Sequence, residues 1–168
     1  MSNTTSEQTI SMLPAGQGRS YLLLGTELLT FKASASQTGG AFLTVEATIP
    51  PGSGPPLHKH HPQELFYILA GEFEFPTLRD GQVQTIRATA GCVVHIPSWV
   101  PHTYKNVGQT PGRLLAILTP PTMEGYFQEL GEPVPDPSNP PRPAGPPDWE
   151  RIEALRQKYH IEYIHPAS

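Results

Sequence analysis

From Tyr21 onward the chain is cut by Gly, Pro, Asn and Asp into short segments rich in Leu, Val, Ile, Phe and Thr: Tyr21–Leu24, Leu28–Ala33, Phe42–Ile49, Glu64–Phe75, Val83–Ala88, Cys92–Ile96, His102–Val107 and Arg113–Thr119. Pieces this short, at this spacing, predict an antiparallel sandwich or barrel. The 21 prolines are not spread evenly. They concentrate in places such as Pro50–Pro56 and Pro133–Pro147, which read as punctuation between strands. Asp80-Gly81 is a hairpin signal between Phe75 and Val83. In Phe42–Ile49, Leu43, Val45, Ala47 and Ile49 form one apolar face, with Thr44, Glu46 and Thr48 on the other. Glu46 is expected to face solvent.

After Pro120 the texture changes. Thr122 can cap a short helix in which Met123, Tyr126, Phe127 and Leu130 follow helical spacing, with Gly131 past its end. A proline-rich connector leads to Asp148, which can cap a second helix carrying Trp149, Ile152, Leu155 and Tyr159 along one stripe. These aromatics are expected to pack on the barrel rather than contact a ligand. Residues 1–17 are polar and expected to fray. No internal repeat is visible.

At 168 residues the chain is read as one domain, a barrel over about 18–120 with a helical, Pro-rich extension over about 121–168. The single cysteine, Cys92, rules out a disulfide framework within the chain. A net charge of -4 argues against a phosphate-binding surface and hence against nucleic acid as partner. The first residues have neither a basic nor an apolar signal region, and runs such as Leu114–Leu118 are too short to span a bilayer. A soluble, cytoplasmic protein with no membrane partner is expected.

Four residues carry the chemistry. His58, His60 and Glu64 occur as Gly52-x5-His58-x-His60-x3-Glu64-x6-Gly71, and His102 closes Gly91-x5-Pro97-x4-His102-x3-Asn106. A lone histidine is usually a surface or satisfied core residue. Three imidazoles and a carboxylate, however, suit a borderline divalent metal, and residues two apart on a strand share a face. One strand edge can then present His58, His60 and Glu64 to one cavity. His61 has the wrong parity and His95 lies on another strand, so both are expected at the surface or behind the ligands. His160 and His165, in the tail, are expected to be irrelevant to the metal. Phe66 and Ile68 continue the face of Glu64, and Tyr104 that of His102, so all three are either pocket walls or ordinary core.

The two runs resemble the paired motifs of the cupin superfamily, small β-barrels related to germins and several bacterial dioxygenases. The resemblance covers Gly52–Asn106 and implies an all-β, cupin-type antiparallel β-barrel (double-stranded β-helix or jelly roll) with C-terminal helices added. Residue by residue, it implies that His58, His60, Glu64 and His102 are ligands of one divalent transition metal. The donor set does not choose among Mn, Fe, Co, Ni, Cu and Zn. One position departs from the pattern: Trp99 stands where the second motif usually has glycine. A glycine there allows positive φ, which tryptophan adopts only with strain, so the turn is expected to differ. Trp99 either packs over the barrel mouth or is buried structure.

The segment Pro-Pro-Gly-Ser-Gly-Pro-Pro before the first histidine and the tail Glu-Pro-Val-Pro-Asp-Pro are similar to small quercetinase-like proteins. That likeness implies a dioxygenase cleaving a flavonol or other enediol, with dioxygen as co-substrate and Glu64 as general base. Two alternatives stay open: a metal-dependent isomerase or epimerase of a small sugar or keto acid, disfavoured by an apolar pocket, and a non-catalytic module that binds a small molecule. Pairing of sheet edges would make a homodimer.

Overall fold

Alternation of side chains along successive strands builds the walls of a barrel. The computed structural model describes residues 9–142 and 145–165. Among these, the strands before residue 120 are β1 (Ser20–Leu23), β2 (Glu27–Ala33), β3 (Leu43–Ile49), β4 (His58–Lys59), β5 (Gln63–Ala70), β6 (Glu72–Arg79), β7 (Gln82–Thr89), β8 (Val93–Ile96), β9 (Lys105–Asn106) and β10 (Gly112–Thr119). The tail adds α1 (Glu124–Leu130), β11 (Glu132–Val134), α2 (Trp149–Lys158) and β12 (Glu162–Tyr163). One sheet runs β11-β1-β2-β3-β10-β5-β8, a second β7-β6-β9, and a third pairs β12 with β4. Every pairing between these strands is antiparallel.

Period-two burial is clearest in β3, where Leu43, Val45, Ala47 and Ile49 are buried and the residues between them are partly exposed. Leu114, Ala116 and Leu118 of β10 and Phe66 and Ile68 of β5 fill the same core. Glu46 points outward as expected and pairs with Arg113 at 2.7 Å. The Asp80-Gly81 turn joins Arg79 to Gln82, and both turn residues have positive φ, the geometry that matches strand twist in a two-residue hairpin.

Several boundaries differ from the sequence expectation. The segment Glu64–Phe75 is two strands, broken at Gly71, whose φ of 92° turns the chain and whose missing Cβ lets the backbone pass Gly112. Thr122 does not cap α1. Met123 holds the cap position with no side-chain bond, and the backbone closes the turn instead, Glu124 N–H donating to Pro121 O. Gly131 does end α1, but with an ordinary negative φ. Its lack of a side chain admits Tyr21 of β1. Asp148 caps α2 as expected, its Oδ1 accepting from Arg151 N–H at 3.0 Å. Ile152 and Leu155 are buried, whereas Trp149, at the first turn, projects into solvent at 61% exposure. The tail also contributes strands that its composition hid: β11 extends the large sheet beside β1, and β12 pairs with β4. Residues 9–17 are exposed and carry no regular structure, while residues 1–8 of the expected frayed segment lie outside the described residues, as do 143–144 and 166–168 of the extension.

Candidate metal centre

His58 and His102 are brought together by backbone pairing. His58 N–H donates to His102 O at 3.0 Å and His102 N–H to His58 O at 2.8 Å, a bridge that joins the two sequence runs. His58 belongs to β4 and Glu64 to β5, with His60 in the bend between them. The ligand-type residues therefore come from two strands and a loop rather than one strand edge, because Pro62 interrupts the ladder. Trp99 N–H reaches His60 O at 2.9 Å and closes the same unit. Trp99 has a φ of 62°, so the turn keeps the left-handed backbone that glycine would take, and tryptophan bears the strain. It is neither buried nor part of the barrel cavity: it is 42% exposed beside His61 on the outer surface.

Each imidazole is oriented by its own backbone neighbour. Nδ1 of His58 lies 2.8 Å from Pro56 O, Nδ1 of His60 2.9 Å from Pro62 O, and Nδ1 of His102 2.8 Å from Val100 O. A carbonyl only accepts, so each Nδ1 carries the proton and each Nε2 offers a lone pair. The Nε2 atoms of His60 and His102 are buried, and neither finds a hydrogen-bond partner among the described residues. The three histidines can each place one ligand atom within 4.8 Å of the others, the grouping that could hold a metal ion. Glu64 stands beside them: Oε2 is 3.1 Å from His102 Nε2 and Oε1 is 3.6 Å from His60 Nε2. These are close contacts without hydrogen-bond alignment, as expected of donor atoms aimed at a common point rather than at one another.

Electrostatics agree with that reading at His58, His60 and Glu64, while His102 is shifted the other way. Burial first, and the neighbouring His102 second, push the His58 pKa down to about 3, so its lone pair is free at neutral pH. Burial also lowers His60. For Glu64, burial acts upward, but His102 and the other imidazoles outweigh it and hold the carboxyl below its ordinary range, hence ionised. Burial acts downward on His102, but the adjacent Glu64 outweighs it and raises the pKa, favouring a proton on this ring until a cation takes its place.

The cluster opens onto a cavity of about 90 Å3 inside the barrel. Phe66 and Tyr104 line it. Ile68 does not: one more pleat along β5, it is wholly buried in the core above the cavity wall. The tail matters more than its sequence suggested. Met123, Tyr126 and Phe127 around α1, with Ile161 and Tyr163 around β12, line the same cavity, and Tyr163 sits opposite His58 in the β12–β4 pair. These aromatics therefore face the site, against the expectation that they only pack on the barrel. Ile161 and Tyr163 also separate it from an open outer groove of about 1040 Å3, which includes His61 and Trp99 but none of the clustered histidines. His58, His60 and Glu64 line the smaller space and not the larger one. His61, His95, His160 and His165 are exposed.

One site residue was missed in the sequence. Glu27, the first residue of β2, is buried in this cavity and accepts a hydrogen bond at Oε2 from Tyr104 Oη at 2.9 Å. Its signal was parity, since Glu27 shares a face with Leu29 and Phe31, but the strand was expected to begin at Leu28.

Comparison with known proteins gives the geometry its family. Residues 45–118 match the Cupin domain, the stretch that holds His58, His60, Glu64 and His102. The chain belongs to the cupin superfamily. This cupin is 31% identical over 123 residues to quercetin 2,3-dioxygenase of Bacillus subtilis, an alignment covering 73% of the chain and 35% of that relative. It is 35% identical over 77 residues to an uncharacterized protein of Methanocaldococcus jannaschii, covering 45% of the chain and 58% of that protein. The chain thus spans about a third and somewhat over half of the curated relatives it matches. Among solved structures, the polyketide cyclase RemF of Streptomyces resistomycificus superposes with a TM-score of 0.56 at 16% identity, covering 66% of this chain and 79% of that one. Oxalate decarboxylase of Bacillus subtilis gives 0.52 at 23% identity, over 58% and 26%. At these identities the likeness is one of fold, and it places this cupin among all-β barrels of the same kind.

Proposed function

We propose that this cupin is a metal-dependent dioxygenase acting on an enediol, flavonol-like or more compact, with His58, His60, Glu64 and His102 as the ligands of one divalent transition metal. The observation that carries this reading is the pair of buried, unpartnered Nε2 atoms of His60 and His102, beside an ionised Glu64 in an enclosed apolar cavity. A buried imidazole nitrogen without a partner is costly, and a metal satisfies it. When bound, that metal supplies Lewis acidity, lowering the pKa of a substrate hydroxyl and stabilising the anion.

The remaining work belongs to the chain. Glu64 Oε1, with the longer imidazole contact, is the freer oxygen and accepts the proton of the substrate hydroxyl. Phe66, Leu114 and Ala116 present apolar surface that excludes water from the reactive anion, and Ile161 and Tyr163 close the mouth. Both atoms of dioxygen enter the product, so no external reductant is needed. At about 90 Å3 the space is well below the roughly 300–1,000 Å3 of pockets for drug-sized ligands, which favours a compact enediol over a full flavonol.

The small-molecule substrate and dioxygen are then the partners inside the barrel. A homodimer is proposed on its outside. The large sheet ends at β8, and Val93 on that edge, with Leu65 and Tyr67 beside it on β5, leaves apolar side chains exposed. No described helix is long and apolar enough to cross a membrane, and the proposed location is the cytoplasm.

Oxygen consumption with a panel of enediols is the test. Uptake matched to substrate loss, and lost in Glu64→Gln protein that keeps its metal, supports the reading. Turnover without oxygen uptake would make the protein an isomerase, and tight binding without turnover a binding module.

A further inference from the structure

The cavity has a second polar feature that the metal centre does not use. Glu27 enters from β2 and Glu64 from β5, and the sheet order places β3 and β10 between them. Three strand spacings amount to roughly 14 Å along the curved sheet, so the two carboxyls rise from different parts of the wall. Glu27 Oε2 accepts from Tyr104 Oη, while Oε1 accepts no hydrogen bond among the described residues and is not one of their fully buried unpartnered atoms, so it is open to the cavity; no described cation pairs with the carboxyl. Its neighbours along the cavity are apolar, including Leu29, Val45 and Ala47. Tyr104 is itself held rigidly, its ring 5.6 Å from Phe66 and 6.2 Å from Phe75.

A buried carboxyl answered by one phenol is an expensive way to fill space. An apolar side chain at position 27 would pack against Leu29 and Val45 with no polar group to satisfy. Burial raises Glu27 to about 7 even though Tyr104 pulls it back, which shows how poorly its charge is compensated within the protein. Its free oxygen is placed to take a donor from whatever occupies the cavity.

We propose that Glu27, held by Tyr104, is a specificity-determining residue whose free oxygen accepts a hydrogen bond from a second hydroxyl of the substrate, remote from the enediol. This deepens and rests on the enediol reading above. It assigns the substrate class more narrowly: a compact cyclic or short-chain enediol with one further hydroxyl. A site built to bond a hydroxyl discriminates strongly against the analogue lacking it, because its own buried group is then left unpaired. Tyr104 is a positioning residue in this arrangement, fixing which oxygen of Glu27 faces the cavity.

Two hydroxypyranones test the subsite by binding rather than turnover. Kojic acid and allomaltol share one chelating hydroxy-ketone, and the methyl group of allomaltol is a hydroxymethyl in kojic acid. Titration calorimetry at pH 8, with protein carrying one equivalent of zinc, should show kojic acid at least tenfold tighter for the wild type. Glu27→Leu should bring the two probes within twofold of each other. Glu27→Gln, nearly isosteric and so a control on folding, should lower the preference at least threefold by replacing a charged acceptor with a neutral one. Equal binding of both probes to the wild type overturns the subsite and leaves the metal centre standing, as does an undiminished preference in whichever variant folds. Failure of both probes to bind the zinc-loaded wild type removes the enediol reading, and the subsite with it.

Discussion

Two polar groups face one apolar cavity, and they are built in opposite ways. At the histidine wall every Nδ1 is tied to a backbone carbonyl within two residues, so each ring is aimed by its own loop. At the other wall Glu27 is aimed by Tyr104, 77 residues away, and by nothing local. The first arrangement is assembled before the ligand arrives; the second depends on the closed barrel. Local wiring suits a metal centre, whose ligands must hold their geometry, whereas a group positioned only by the fold suits a contact that reads a substrate.

The comparison can be broken most forcefully at Glu64. If the histidine wall carries the chemistry, Glu64→Gln should lower the turnover number by about 100-fold or more, the scale of a lost general base, while elemental analysis still finds metal. Full turnover in that variant would remove the base from Glu64. The cover shared by both walls comes next. Ile161 is buried and belongs to no barrel strand, so Ile161→Ala should cost about 2–4 kcal/mol in chemical denaturation and leave the histidine geometry intact. An unchanged midpoint would mean the tail does not seal the cavity.

Glu27 sharpens the contrast through pH. Its folded pKa of about 7 lies above its ordinary value of 4.5, so the folded state holds the proton more tightly. That stabilisation is full below pH 4.5 and is lost as pH rises through about 7. Wild type should therefore lose roughly 2–3 kcal/mol relative to Glu27→Gln between pH 5 and pH 8, read as diverging denaturation midpoints. Parallel profiles would show the carboxyl to be solvated. The smallest effect is expected at Trp99. Glycine relieves the positive φ, so Trp99→Gly should stabilise by about 1 kcal/mol or less and leave metal content unchanged.

Legibility in the sequence follows the same division. His58, His60, Glu64 and His102 could be read because short spacings concentrate them in two runs, and the structure brings them together through the His58–His102 bridge rather than through the parity of one strand. Most strand segments were legible from parity, as in the strict alternation of Leu43–Ile49. Whether Ile68 is wall or core could not be read, because parity fixes a face but not a depth: the face it shares with Phe66 passes from cavity into solid core within one pleat. β11 and β12 were illegible because each takes its role from a partner far along the chain, and Glu27, though in parity with Leu29 and Phe31, lay one residue before the expected strand and takes its orientation from the distant Tyr104. A two-residue strand such as β12 has no periodicity to detect, yet it seats Tyr163 beside His58. Trp99 misled in the other direction. The turn was strong enough to impose a left-handed backbone on a residue that resists it, since Trp99 N–H is committed to His60 O.

The most direct measurement is metal content per chain, on protein purified without chelators or affinity metal, for the wild type and for His58→Ala/His102→Ala. Close to one transition-metal ion per wild-type chain, and none in the double variant at matched fold, is the predicted result. A wild type that stays empty after each of Mn, Fe, Co, Ni, Cu and Zn is supplied, or a double variant that keeps its ion, would contradict the metal centre and with it the dioxygenase proposal.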